Sequence, residues 1–74
     1  MNTLFILEIN VDNQLRHAYS AETKEKLLNM VKSDDEYDDE YYVVYSYDLN
    51  INNSIQILFE NESIKKIKTF LSNS

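Results

Sequence analysis

The chain has 74 residues, no Cys, Gly or Pro, a single His, and thirteen acids against seven bases for a net charge of −6. That length holds one domain, residues 1–74, which buries only about 60% of the surface its unfolded chain exposes; the composition leaves no disulfide frame or His/Cys zinc site to reinforce it. The charge disfavours direct contact with nucleic acid or anionic lipid, both polyanions, and favours a basic protein partner.

Residues 3–11, TLFILEINV, alternate with period two, with Phe5, Leu7, Ile9 and Val11 on one face and Leu4, Ile6, Glu8 and Asn10 on the other. This predicts a first strand. No basic region precedes Leu4–Leu7 and Glu8 interrupts the run, so no secretory leader is expected. No apolar run approaches the roughly 20 residues of a membrane span, and a cytoplasmic location is expected. Asp12 to Gln14 is turn chemistry, and Leu15 to Tyr19 reads as a brief extended continuation. Ser20 is the expected N-cap of a helix over Ala21–Lys32, where Ala21, Leu28 and Val31 flank Leu27 on one apolar stripe.

Asp34-Asp35-Glu36-Tyr37-Asp38-Asp39-Glu40 follows, six carboxylates in seven residues. From Ser33 to Ser63 there are nine acids and no Lys or Arg. Extended, the seven residues would carry about one charge per 4 Å, close to the phosphate spacing of a single DNA strand. The ordinary reading of such a run is a solvated loop that keeps a marginal domain soluble.

Residues 41–50 and 54–60 are rich in β-branched and aromatic side chains and predict a hairpin. A three-residue turn, Ile51 to Asn53 with Asn53 left-handed, would pair Tyr45 with Phe59, Tyr47 with Ile57 and Leu49 with Ile55. That register sends Tyr45 and Tyr47 toward the helices. It places Glu8, Asp48 and Glu60 on the uncovered face beside Leu4, Ile6, Val44 and Leu58, with Tyr42 also facing away from the core. Tyr37 and Tyr42 are then candidate contact residues, since Tyr adds rigid area at low entropic cost.

Asn61 or Ser63 caps a last helix with Ile64, Ile67, Phe70 and Leu71 inward and Lys65, Lys66 and Lys68 outward. The expected order is β-α-β-β-α. The expected fold is α+β, a three-stranded, mainly antiparallel sheet with two helices on one face.

For catalysis the inventory is thin. There is no Cys nucleophile, no Gly for a phosphate loop, and His17 has no spaced partners and reads as an edge-strand or surface residue. A calcium loop starting at Asp34 fails because Asp39 stands where Gly is required and Tyr45 where a bidentate Glu is required. No enzyme, cofactor or metal is expected.

In size, net charge, α+β order and the acidic patch at Asp34 to Glu40, the chain resembles in class the small acidic inhibitors that phages direct against host enzymes. These include anti-CRISPR proteins that occupy a nuclease's DNA-binding groove. Codon-related bias toward Asn, Ile, Lys and Tyr fits a phage of an AT-rich bacterial host. The resemblance implies a stoichiometric inhibitor of a basic nucleic-acid-binding protein, with carboxylates standing in for phosphates. Asp34, Asp35, Glu36, Asp38, Asp39 and Glu40 would supply charge, Tyr37 and Tyr42 contact area, and Glu8, Asp48 and Glu60 an extension of the surface. The alternatives are an immunity or antitoxin-type protein that covers a basic toxin, and a small homodimeric subunit joined through Leu4, Ile6, Val44 and Leu58.

Overall fold

The computed structural model describes residues 2–50 and 54–73. It is an α+β fold with the order β1 (Thr3–Val11), β2 (Gln14–Ala21), α1 (Lys24–Val31), β3 (Glu40–Asp48), β4 (Ser54–Asn61) and α2 (Ile64–Ser72). The sheet is antiparallel with four strands in the order β2-β1-β3-β4, one more than expected. The chain therefore runs as two hairpin-plus-helix units whose first strands, β1 and β3, pair at the centre of the sheet.

The additional strand is β2. Val11 pairs with Gln14, leaving Asp12 and Asn13 as a two-residue loop, both at positive φ of 52° and 63°. Two successive left-handed residues are the type I′ geometry whose twist matches a hairpin, and Asp and Asn tolerate it best after Gly. β2 shows little alternation because it is an edge strand exposed along most of its length. α1 accordingly starts later than expected. Its N-cap is Thr23 rather than Ser20, with the Thr23 hydroxyl accepting from the Lys26 N–H at 3.1 Å.

β1 determines which face of β3 is buried. Leu7 and Ile9 are in the core, and the pairs Leu7–Val44 and Ile9–Tyr42 carry Val44 and Tyr42 in with them. Tyr45 and Tyr47 therefore lie on the open face, opposite to the sequence expectation. Taken alone, the alternation of β3 favours Tyr41, Val43, Tyr45 and Tyr47 as its inward face over Tyr42, Val44, Ser46 and Asp48; pairing with Leu7 and Ile9 overrides it. The β3–β4 register also differs. Asp48 pairs with Ser54, Tyr47 with Ile55 and Tyr45 with Ile57, and a bulge at Leu58 then restores the pair Val44–Phe59. The bulge turns Phe59 inward, stacked on Phe70 at 4.9 Å, while Ile55 and Ile57 stay outside. The expected turn at Ile51 to Asn53 lies outside the described residues.

The helices cover the other face. Leu27 and Val31 of α1 and Ile64, Ile67 and Leu71 of α2 are buried against Leu7, Ile9, Tyr42 and Val44. α2 is capped by Ser63, whose own N–H donates to the Asn61 side chain at 2.9 Å, so both residues anticipated as caps take part. No helix is long and apolar enough to cross a membrane among the described residues.

Candidate functional site

The acidic run leaves α1 and returns along the helix-covered side of the sheet. It is not extended: the Asp34 N–H donates to Val31 O at 3.0 Å and the Glu40 N–H to Tyr37 O at 3.4 Å, so the segment bends at both ends. The even, phosphate-like row of charges expected from an extended chain is absent.

Two of its six acids are committed to the fold. Glu36 accepts from the Ile64 N–H at 2.8 Å and from the Ser63 hydroxyl at 3.4 Å, placing a carboxylate on the positive N-terminal end of α2. Glu40 accepts from the Tyr42 hydroxyl at 2.5 Å. Lys68 then pins the loop's start, donating to Lys32 O at 3.1 Å and Asp34 O at 2.6 Å. In this position it satisfies carbonyls at the C-terminal end of α1, where positive charge is favoured. The outward orientation expected of Lys68 is thus corrected, whereas Lys65 and Lys66 do face solvent.

The remaining four acids, Asp34, Asp35, Asp38 and Asp39, line an open cleft of about 770 Å³. Its floor is formed by Ile9, Val11 and Tyr19, and Tyr37 and Glu40 complete the acidic wall. Arg16 and His17, on edge strand β2, stand on the opposite side, and the His17 ring packs edge-on against Tyr19 at 4.5 Å. The one ion pair among the described residues is Lys26–Glu22 at 3.8 Å, so none of the four aspartates is neutralised by a described base within 4 Å. No metal-binding group of three His, Asp or Glu forms among the described residues.

Other expected surface residues are elsewhere. Tyr42 is 1% exposed and part of the core, with its hydroxyl held by Glu40; burial and that carboxylate raise its pKa well above the usual phenol range. It offers no contact area. Asp48 falls on the helix side of the sheet by strand alternation and accepts from the Asn50 N–H at 2.8 Å. Glu8 and Glu60 do lie on the open face, on the far side of the sheet from the cleft. Val44 is fully buried and Leu58 packs against the core, so neither belongs to the open apolar patch. Tyr45, Tyr47, Ile55 and Ile57 take their place beside Leu4 and Ile6. The expected single surface is therefore two: an acidic cleft and, behind it, a tyrosine-rich sheet face.

On that face the Tyr41 hydroxyl donates to Glu60 at 2.8 Å, and this bond raises the Tyr41 pKa. Tyr45 is pushed up to about 12 by burial and by a hydrogen bond to Glu8.

No family model, curated protein or solved structure matches the chain.

Proposed function

We propose that the protein is a phage-encoded stoichiometric inhibitor, not an enzyme, that binds a basic nucleic-acid-binding protein in the cytoplasm of a bacterial host. The observation that supports this is the group of four aspartates, Asp34, Asp35, Asp38 and Asp39, lining one cleft without a described base in contact. A Lys or Arg of a partner can lay its aliphatic stem on Ile9 and Val11 while its charge meets the aspartates. Tyr37, 57% exposed at the rim, adds contact area. Glu36 and Glu40 serve the fold, so the recognition charge is smaller than the sequence suggests.

The bent loop favours a second reading. A concave, folded acidic site suits insertion of a partner's basic side chains better than imitation of an extended backbone. An immunity or antitoxin-type protein that covers a basic toxin uses such a site without mimicking the toxin's substrate.

Capture from a bacterial lysate separates these readings, with the wild type and an Asp34→Asn, Asp35→Asn, Asp38→Asn, Asp39→Asn variant as baits. A nucleic-acid decoy retains a basic protein that duplex DNA or RNA releases; an immunity-type protein retains one that nucleic acid does not release. Identical proteins captured by both baits would remove the cleft from either reading.

A further inference from the structure

The open face of an antiparallel sheet is usually polar, because it meets water. Here it is not. Register arranges it as three rows across β1, β3 and β4: Leu4–Tyr47–Ile55, then Ile6–Tyr45–Ile57, then Glu8–Val43–Glu60. Two rows are wholly apolar or aromatic. The third sets a carboxylate on each side of Val43, two strand spacings or about 10 Å apart. Ile55 and Ile57 are 60% and 59% exposed although one face of the molecule is available to bury them. Neighbouring open-face positions, Asn10, Tyr41, Ala18 and Ser20, add no base.

We propose that this face is a second docking surface, and that its occupant is a single amphipathic helix of a partner protein, with an apolar stripe flanked on one side by Lys or Arg. Three rows and three strands cover roughly 20 by 14 Å, which suits one helix about 10 Å across. A second copy of this chain is disfavoured because its own three rows carry no base to meet Glu8 and Glu60. The same carboxylates oppose an anionic membrane surface. A helix with apolar side chains over Tyr45 and Ile57 and cations at the Glu8–Glu60 row satisfies both features of the face. This surface is independent of the acidic cleft.

The test uses the ¹⁵N-labelled 74-residue chain and a synthetic helix of about 18 residues with Leu at i, i+3, i+4 and i+7 and Lys along one flank. Its counterpart has Glu in place of Lys. The Lys peptide is expected to shift amides of Ile6, Val43, Tyr45 and Ile57, and to bind at least tenfold more tightly than the Glu peptide. Glu8→Gln with Glu60→Gln should weaken it about tenfold, and Ile57→Lys, at an exposed position, should abolish it. The four-Asn cleft variant should bind the peptide as the wild type does. Equal affinity for the two peptides, shifts confined to the cleft, or no saturable binding would overturn the proposal. So would a dimer of the free protein that Ile57→Lys dissociates, or attachment to anionic vesicles in preference to the peptide.

Discussion

Replacing Glu36 with alanine removes the acceptor of the Ile64 N–H and the carboxylate standing at the N-terminus of α2. Loss of a capping acceptor costs about 0.5–2 kcal/mol, and loss of a negative charge at a helix N-terminus about 0.3–1 kcal/mol. The bonds bridge 27 and 28 residues of sequence, so they also anchor the acidic loop to the second helix. Because Ser63 keeps its own bond to the Lys66 N–H at 3.5 Å, the cap is weakened rather than erased. A total of about 1–2 kcal/mol is reasonable, which lowers the melting temperature of a domain this size by about 4–16 °C. Glu36→Gln retains an acceptor and loses only charge, so about 0.5 kcal/mol, or about 2–4 °C, is expected. Thermal unfolding followed by circular dichroism at pH 7 measures both variants against the wild type. If Glu36→Ala melted within 1 °C of the wild type, or Glu36→Gln fell as far as Glu36→Ala, the assignment of this side chain to the cap would be wrong.

Lys68→Met keeps the aliphatic stem and deletes two charge-assisted bonds to Lys32 O and Asp34 O; about 1–2 kcal/mol should be lost in urea titration, against less than about 0.5 for Lys65→Met. Stability should also fall at high pH. Tyr42 and Tyr45 titrate well above their unfolded value of about 10, so from pH 10 upward the unfolded chain releases protons that the folded chain retains, and folding is progressively disfavoured. Urea titrations at pH 8 and 11 should show this loss, and Tyr42→Phe should make it shallower while costing about 1 kcal/mol at pH 8 by leaving Glu40 without its donor.

β1 was legible because its alternation is unambiguous, and both helices because their apolar stripes are local, although α1 is capped by Thr23 and not by Ser20. β2 was legible only as a short extended segment over Leu15–Tyr19 and not as a full fourth strand, since an edge strand that buries little has little reason to alternate; the Asp12-Asn13 pair was its clearest mark. The inward face of β3 depends on pairing with Leu7 and Ile9, and the position of Ile57 on a bulge at Leu58, and neither is encoded in the strand itself. The acidic run was visible at once. Its division into structural and free carboxylates was hidden, because Glu36 and Lys68 find partners on segments 27 to 36 residues away. Composition counts charges, whereas the fold decides which of them remain available.

That division is the central claim, and affinity for the captured basic partner tests it most directly. Titration calorimetry would compare the wild type with the four-Asn variant at low and high salt. At roughly 0.5 kcal/mol for each of four exposed pairs, the variant should bind about thirtyfold more weakly at low salt, and the gap should narrow as salt screens the wild type. Its melting temperature should hold or rise, because like charges are removed from one loop and no cap is touched. Affinity within twofold of the wild type at low salt, with the fold intact, would contradict the claim that Asp34, Asp35, Asp38 and Asp39 are the recognition charges.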